Sequence, residues 1–326
     1  EMLFNLLGRT GLSVSPLCAG TLAFGGDADE AESLVMYGAC RDAGINFFDC
    51  ADSYAGGRAE TVFGKLMAHE RNELVITSKC GYPVSAEDSG EGASRQHITR
   101  AVEASLKRLG TDRLDVFLMH QWDAQTPLEE TLRCLEDLRR AGKVLHLGAS
   151  NYAAWQVAKG LGIAERHGWA RFEVVQPMYN LIKRQAESEI LPLAKFEQLA
   201  VTPYSPTAGG LLSGDYRDGK QPERGRLVVN DEYAARYGED WIMECATNFA
   251  DFAEARGHHP VSLAVAWVAA HPDVTCPIIG ALDVAQLRPS LNALDIGMTA
   301  ELHGEISRLS RRPAPAHDRS ETLNMD

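Results

Sequence analysis

The chain has 326 residues, of which 45% are hydrophobic and 24% are charged, the balance of an ordinary globular protein. Its 32 lysine and arginine residues against 45 aspartate and glutamate residues give a formal net charge of −13 at pH 7. A negative field of this size repels nucleic acids and anionic membrane surfaces, so neither is an expected partner.

Cysteine usage and hydropathy predict a cytoplasmic protein. The seven cysteines are odd in number, scattered and without a Cys-x-x-Cys pair, which is typical of buried thiols in a reducing compartment. No apolar run approaches the roughly 20 residues that span a bilayer, and no signal peptide is expected at the start of the chain. The oligomeric state stays open.

The first element in chain order is a predicted β-hairpin. Two short apolar runs within residues 2–14 flank the turn Gly8-Arg9-Thr10-Gly11. Another apolar run near residues 17–20 predicts the first strand of a larger sheet. The hairpin is expected to cover the amino-terminal end of that sheet.

Six further apolar runs each end on a polar residue able to do chemistry. The runs recur at the spacing of strand–helix units, and the carboxyl ends of the strands of a parallel barrel converge on one face. The six side chains would therefore line one pocket, which indicates an enzyme. These terminal residues are Asp49, Lys79, His120, Ser150, Gln176 and Tyr204.

Amphipathic helices alternate with the strands. Residues 98–109 carry apolar side chains at helical spacing and are followed by Gly110, a favoured C-terminal residue. Residues 128–138 repeat the pattern, with Pro127 expected in the first turn of that helix. Eight strand–helix units predict an α/β fold, a (β/α)8 TIM barrel that forms a single domain over residues 1–310.

The alternation breaks after the seventh barrel strand. Residues 215–241 are polar, contain glycine and arginine, and are too long for an ordinary connection, which favours a long lid loop over the barrel mouth. Two helices are expected near residues 241–256 and 260–270, followed by a last strand at 274–279. The charged, proline-containing tail, residues 311–326, is expected to be flexible.

Asp49, Tyr54 and Lys79 are a set of residue types suited to proton donation. A phenol has a pKa of about 10, too high for a good donor at neutral pH. A neighbouring ammonium lowers that pKa, and a carboxylate keeps the ammonium charged. His120 could then hydrogen-bond the oxygen that gains charge. Each residue alone is more often structural, and only their joint placement indicates catalysis.

At these residues the chain resembles the aldo-keto reductases. The resemblance runs in order from Gly8 to about Leu309, and it implies a (β/α)8 barrel that reduces aldehydes or ketones to alcohols with a nicotinamide cofactor. The segments that carry it are Asp49-Cys50-Ala51-Asp52-Ser53-Tyr54, Ser78-Lys79-Cys80-Gly81, Leu118-Met119-His120-Gln121-Trp122-Asp123, Gly148-Ala149-Ser150-Asn151-Tyr152, Gln176-Pro177-Met178-Tyr179-Asn180 and Tyr204-Ser205-Pro206.

The resemblance implies roles for individual residues. Asp49, Tyr54, Lys79 and His120 would be the catalytic set, with Tyr54 as the general acid. The cofactor would meet the chain in order from its nicotinamide to its adenosine end. Its expected contacts are Ser150, Asn151 and Gln176 at the carboxamide, Tyr204 at the nicotinamide ring, Ser205, Pro206, Thr207, Gly209, Leu211, Gly214 and the lid residue Arg226 at the pyrophosphate, and Gly280, Gln286 and Ser290 at the adenosine.

The adenosine end departs from the family pattern. An arginine and a hydroxyl residue usually meet the 2′-phosphate of NADPH there, and Leu282 and Asp283 replace them. Asp283 followed by Gln286 resembles a capping box that opens the last barrel helix. A carboxylate so close disfavours the phosphate, although Arg288 could compensate in part. We therefore expect NADP(H) as the cofactor, with NAD(H) accepted to a useful degree.

Two other functions stay open at this point. A lysine at a barrel strand end, as Lys79 is, also suits a Schiff-base lyase, although Gln176 and Tyr204 would then have no task. Some barrels of this kind serve instead as non-catalytic, cofactor-binding regulatory subunits of channels. The partner in the favoured interpretation is a small-molecule carbonyl substrate, which the sequence does not identify.

Two remaining patterns are interpreted as structural. His258-His259 has no third ligand at metal spacing, so no metal site is expected. Cys50 and Cys80 flank Asp49 and Lys79, and inert buried thiols are favoured over a thiolate activated by Lys79.

Overall fold

The computed structural model describes residues 3–84 and 92–321, and this part of the chain contains ten strands. Two form an antiparallel hairpin and eight form one parallel sheet. The strands are β1 Asn5–Leu6, β2 Ser13–Val14, β3 Cys18–Gly20, β4 Phe47–Asp49, β5 Val75–Cys80, β6 Leu114–Met119, β7 Val144–Ser150, β8 Phe172–Gln176, β9 Ala200–Val201 and β10 Ile278–Ile279.

The eight parallel strands close into a barrel. They follow one another in chain order from β3 to β9, and β10 pairs with β3. Thr275 N donates to Val201 O and Ile278 N to Pro203 O, both at 2.8 Å, and these bonds join the two ends of the sheet. The predicted (β/α)8 barrel is therefore confirmed, and the carboxyl ends of its strands share one face.

Helices connect the strands and cover the outside of the barrel. They are α1 Glu30–Asp42, α2 Arg58–Met67, α3 Arg95–Leu109, α4 Leu128–Arg140, α5 Ala154–His167, α6 Ile190–Glu197, α7 Arg226–Val229, α8 Asp231–Arg236, α9 Asp240–Ala255, α10 Pro260–Ala269, α11 Val284–Leu291 and α12 Ala300–Ser307.

The two helices predicted from apolar spacing have the expected ends, with one correction. The Ser94 side chain caps α3, and Gly110 ends it with a left-handed φ of 64°. Pro127 is not in the first turn of α4, where it was expected. Its ψ of 128° is extended, so it is the residue before the helix, and Leu128 begins the first turn.

Side chains alternate between two apolar layers because successive strand residues point to opposite faces. Phe47 belongs to the cluster inside the barrel, whereas Phe48 packs outside, against the helices. Leu7 and Val14 belong to the inner cluster and are fully buried. The predicted hairpin is confirmed and covers the amino-terminal end of the barrel; Met2, at the edge of its predicted range, lies outside the described residues.

The segment after β9 contains more regular structure than its polar composition predicts. Residues 215–241 contain the 3-10 turn Arg217–Gly219 and the short helices α7 and α8. Buried Tyr216 and Tyr237 anchor it to the barrel, and Tyr237 Oη accepts a hydrogen bond from Asn180 Nδ2 (3.2 Å). Helices of four and six residues are too short to leave a periodic pattern in the sequence.

The last strand is shorter than expected, and the described part of the tail contacts the rest of the chain. The last strand, expected over 274–279, pairs with β3 only at Ile278–Ile279, because Pro277 has no N–H to donate to a strand ladder. In the tail, Ser188 Oγ donates to Ala314 O (2.8 Å) and Arg311 lies over the Trp241 ring (4.8 Å); residues 322–326 lie outside the described part. Within the described ranges, no helix is both long and apolar enough to cross a bilayer.

Candidate active site

β4 and β5 bring three of the predicted site residues into direct contact. Lys79 Nζ donates to Asp49 Oδ2 (2.6 Å), to the Cys50 carbonyl (2.7 Å) and to Tyr54 Oη (3.1 Å). Asp49 is the last residue of β4, and Lys79 is the residue before the end of β5. All three donor positions of the ammonium are therefore used, and one of them points at the Tyr54 hydroxyl.

Burial decides the protonation states in this group. It lowers the pKa of Lys79, but Asp49 and Tyr54 together outweigh that effect and hold the pKa above its usual value. Burial raises the pKa of Tyr54 to about 12, although the Lys79 ammonium lowers it. The expectation that Lys79 brings the phenol pKa below normal is therefore wrong for the protein alone, because desolvation is the larger effect.

The turn that carries Tyr54 has a left-handed backbone. Three residues in a row have positive φ: Ala55 at 51°, Gly56 at 64° and Gly57 at 85°. An alanine in this region is uncommon and costs conformational energy, so the surroundings must hold the turn in place. Tyr54 is the first residue of this turn, and its hydroxyl contacts Lys79.

His120 follows β6 and lies beside Tyr54. The two ring centroids are 5.9 Å apart with their planes nearly perpendicular. Burial, with the nearby Lys79 charge, holds the pKa of His120 well below its usual value, so the imidazole is neutral at neutral pH. Its Nδ1 is buried and has no hydrogen-bond partner among the described residues. A neutral imidazole can still donate one hydrogen bond to an oxygen that gains negative charge.

Gln176, Ser150, Asn151 and Tyr204 form a polar chain that begins at Asp49. Gln176 Nε2 donates to Asp49 Oδ1 (2.8 Å), and Ser150 Oγ donates to the Gln176 carbonyl (2.9 Å). Asn151 Nδ2 donates to the His120 carbonyl (2.9 Å), and Tyr204 Oη donates to Asn151 Oδ1 (2.8 Å). All six residues predicted at strand ends therefore meet at one face of the barrel.

The segment from Ser205 to Gly214 leaves the same face with an unusual backbone. Ser205, Ala208, Gly209 and Gly210 have φ values of 58°, 55°, 68° and 93°. Turns that combine right- and left-handed residues point successive N–H groups into one concavity and can hold an anion. The remaining predicted residues of the segment are Pro206, Thr207, Leu211 and Gly214, of which Leu211 is buried.

Residues from α7 and α8 cover this segment. A Cβ at Gly209 would lie 2.8 Å from the Tyr233 ring, so the ring packs directly on the glycine. The guanidinium groups of Arg226 and Arg236 lie over Tyr233, 4.9 and 4.6 Å from its centroid. Two cations therefore sit beside the curved backbone, although the protein as a whole is negative.

The start of α11 has the predicted cap and an additional carboxylate. Asp283 Oδ1 accepts from Gln286 N (2.9 Å), and Gln286 Oε1 accepts from Leu282 N (3.2 Å), one residue before the usual position in a capping box. Glu32 of α1 also accepts, from Val284 N (2.7 Å). Glu32 was not predicted as part of this helix end, because no local pattern connects it to a residue 252 positions away.

Other residues of this region complete the comparison with the predicted contacts. Arg224 Nη1 lies 3.4 Å from Asp283 Oδ2, the one ion pair that the structure gives this carboxylate within its described part. Ser290 is 3% exposed in α11, and Gly280 stands just before the helix region with open space where a Cβ would be. Tyr82 was also not predicted, and its ring lies 4.8 Å from that of His120. Its position two residues after the end of β5 could have indicated a place at the barrel mouth.

The two remaining patterns are the cysteines Cys50 and Cys80 and the pair His258-His259. Cys50 and Cys80 are fully buried, and burial raises the pKa of both thiols. His259 caps α10 through Nδ1, which accepts from Val261 N (3.2 Å). Among residues 3–84 and 92–321, no group of three or more His, Cys, Asp or Glu residues is arranged to hold a metal ion.

Comparison with known proteins is consistent with this arrangement. A model of the Aldo/keto reductase family matches residues 16–311. An uncharacterized oxidoreductase of Bacillus subtilis, YrpG, is 36% identical over 315 residues, which cover 92% of this chain and 94% of that protein. A probable voltage-gated potassium channel subunit beta of Oryza sativa is 36% identical over 302 residues, covering 90% and 92%. Norsolorinic acid reductase of Aspergillus flavus is 32% identical over 318 residues, covering 92% and 79%. The chain belongs to the Aldo/keto reductase family.

Proposed function

We propose that the protein reduces aldehydes or ketones to alcohols with NADP(H), and that Tyr54 is the general acid. The contact between Tyr54 Oη and Lys79 Nζ, at 3.1 Å, carries this proposal, because it joins a phenol to a permanently charged ammonium at the barrel mouth. Relatives named as an oxidoreductase and a reductase support the reaction class.

Each side chain has a part in moving one proton. With its pKa raised to about 12, Tyr54 is fully protonated at neutral pH and has a proton to give. As the proton leaves, the phenolate that forms gains the attraction of Lys79, which Asp49 holds in place at 2.6 Å. Neutral His120 donates a hydrogen bond to the substrate oxygen at the same time. The bound nicotinamide supplies the hydride.

The residues along the mouth fit a dinucleotide. Asn151 and Gln176 offer amide groups that can exchange their present hydrogen bonds for a carboxamide, and Tyr204 offers an aromatic face. The left-handed backbone at residues 205–210, with Arg226 beside it, fits a pyrophosphate.

A Schiff-base lyase is a weaker proposal on the same geometry. Amine attack on a carbonyl needs a neutral lysine that can reach the substrate. Lys79 is wholly buried, donates three hydrogen bonds and has a raised pKa, so it is neither neutral nor free. Borohydride added with a carbonyl compound should therefore leave the mass of the protein unchanged.

A cofactor-binding regulatory subunit is the second candidate, because one relative is named as a probable potassium channel subunit beta. Such a protein needs the cofactor site but not the proton donor. Here Tyr54, Lys79, Asp49 and His120 are all present and in contact. A chain that binds NADPH yet turns over no carbonyl compound would favour this candidate.

The deciding experiment follows NADPH absorbance with a panel of aldehydes and ketones, for the wild-type protein and for Tyr54→Phe. We expect turnover by the wild type and a loss of about 100-fold or more in kcat for the variant, the range for a missing general acid. NADPH affinity, measured by fluorescence, should stay near normal. A variant that keeps about a quarter of the wild-type kcat would show that Tyr54 is not the acid.

A further inference from the structure

Asp52 lies beneath the turn that carries Tyr54, in a wholly buried position. It is 0% exposed, and its backbone N–H donates to the Lys79 carbonyl (3.1 Å), which fixes it to β5. Tyr54 N donates to the Ala51 carbonyl across it (3.3 Å). A change in the charge of the Asp52 side chain would therefore occur only two residues from Tyr54, the proposed general acid.

No hydrogen bond of good geometry reaches either carboxyl oxygen of Asp52 from the described residues. Four ionisable groups face it: Glu60 from α2, Arg108 from α3, and Lys79 and Cys80 from β5. Lys79 already serves Asp49, and the buried Cys80 thiol has a pKa raised well above its usual value, so it carries no charge. Only Glu60 and Arg108 remain to decide the charge of Asp52.

Glu60 is the carboxylate that pairs directly with Arg108. It is 0% exposed; Ser78 Oγ donates to Oε1 (2.5 Å), and Arg108 donates to Oε2 (2.7 Å). The Arg108–Glu60 pair is thus complete without Asp52. An ionised Asp52 would be a second buried carboxylate beside this one cation. The backbone N–H of Ser53 favours its charge, but not in good hydrogen-bond geometry.

The same cation holds the left-handed turn. A Cβ at Gly57 would lie 3.1 Å from the Cδ and Nε of Arg108, so the guanidinium packs against the glycine. Ala55, Gly56 and Gly57 keep their positive φ values only while these neighbours stay in place. If Arg108 were drawn toward a charged Asp52, the turn would lose this contact.

We propose that Asp52 is kept as a neutral carboxylic acid and is a positioning residue for Tyr54, whose turn loosens when Asp52 ionises. Burial, followed by repulsion from Glu60, raises the pKa of this carboxyl to about 7, which is consistent with a neutral form in weakly acidic solution and with ionisation as pH rises through neutrality. The activity part of the inference rests on the proposed role of Tyr54, whereas the protonation of Asp52 does not.

The pH dependence has a definite sign. The folded protein keeps the Asp52 proton to about pH 7, whereas an unfolded aspartate loses it near pH 4. The folded state thus binds more protons over this interval, and stability falls as pH rises through it. Turnover should fall along with it, because the charged form disturbs the turn.

Asp52→Asn is the direct test, because asparagine has the shape of the neutral acid and does not titrate. Relative to wild type, its melting temperature should be nearly equal at about pH 5 and higher by about 3 °C or more at about pH 8.5. Its kcat should stay within about twofold between about pH 6 and 8.5, whereas wild-type kcat falls. Asp112→Asn, whose side chain is 88% exposed, is the matched control and should follow wild type at both pH values.

The outcomes separate this inference from the proposed function. An equal melting difference at both pH values would mean that Asp52 is ionised throughout, and would overturn the inference. A pH-dependent difference without a change in the kcat profile would overturn the positioning role but not the protonation. If Asp52→Asn does not fold, aspartate carboxyls of wild type labelled with ¹³C should include one that titrates near neutrality, and its absence would also overturn the inference.

Discussion

Lys79, Tyr54 and His120 each have a pKa that burial or a neighbouring charge moves away from neutrality. Lys79 stays charged, Tyr54 stays protonated and His120 stays neutral over the ordinary pH range. None of the three titrates near pH 7 in the protein alone. A change in activity near neutral pH therefore needs another group, and Asp52 is the one that the structure offers.

Cys80 lies next to Lys79 in sequence, but we expect it to be inert toward oxidants. It is 0% exposed and burial raises its pKa well above the usual value, so the reactive thiolate is absent. Treatment with peroxide should reduce activity at the same slow rate in wild type and in Cys80→Ser. Rapid inactivation of wild type that Cys80→Ser escapes would show that the thiol is accessible and activated.

At the level of elements, the start of α11 argues for weak selection between the two cofactors. Two carboxylates, Asp283 and Glu32, accept hydrogen bonds at this helix end, and Arg224 is the nearby cation, at 3.4 Å. A 2′-phosphate would be repelled by both carboxylates, if the adenosine end of the cofactor lies here as the family resemblance implies. A 2′-hydroxyl could instead donate to one of them.

We therefore expect the ratio of kcat/KM for NADPH over NADH to lie below roughly 10³, about 4 kcal/mol of discrimination. Asp283→Asn and Glu32→Gln should each raise this ratio severalfold. Glu30→Gln is the matched control: it lies on the same helix as Glu32, but its carboxylate binds Lys65 (2.8 Å). A wild-type ratio above that limit would mean that an unidentified group binds the phosphate.

The segment 215–241, with α7 and α8, is expected to act as a lid that the cofactor stabilises. Its Arg217 is bound to Asp251 (2.9 Å) and Glu254 (2.6 Å), whereas Arg224 has one long contact. A bound pyrophosphate would provide a second anionic partner for Arg224 and so hold the lid in place. Trypsin should therefore cut after Arg224 more slowly when NADP⁺ is present.

Arg319 provides an internal control for that digestion, because its side chain is 69% exposed and far along the chain. Cleavage after Arg319 should not depend on NADP⁺. Equal cutting after Arg224 with and without the cofactor would remove the support for a lid.

For the whole molecule, the packing of α12 against α10 should depend on pH. His303 stacks on Trp267 (5.2 Å), with His271 nearby at 6.4 Å. Burial lowers the pKa of both histidines below the usual value. At these two histidines the unfolded chain thus binds more protons than the folded protein just below about pH 6.5. Their contribution to stability is therefore complete above that pH and is lost as pH falls through it.

Asp52 acts in the opposite sense on wild-type stability, so the test is a comparison. As pH falls from about 7 to 5, the melting temperature of His303→Phe should rise relative to that of wild type, because the new ring packs against Trp267 but cannot be protonated. His69→Gln, on an exposed residue, is the control and should follow wild type. If the difference in melting temperature between His303→Phe and wild type is the same at about pH 7 and at about pH 5, protonation of His303 does not destabilise the fold.

The sequence by itself determined the barrel and the gathering of its strand-end residues. Apolar runs at the spacing of strand–helix units predicted the strands, and parallel strands place Asp49, Lys79, His120, Ser150 and Gln176 on one face. The cap at Asp283 was also predictable, because a capping box depends on residues three apart. These features follow from local spacing and chirality, which a sequence contains directly.

Only the tertiary structure decided the charges and the distant partners. Desolvation raises the pKa of Tyr54 although Lys79 lowers it, and no pattern in the sequence gives the relative size of these two effects. Glu32 accepts a hydrogen bond at the start of α11 from a residue 252 positions away in the sequence. Arg108 donates its hydrogen bond to Glu60 and not to Asp52. Burial and contacts between remote residues arise when the chain packs, so they become readable only in the folded molecule.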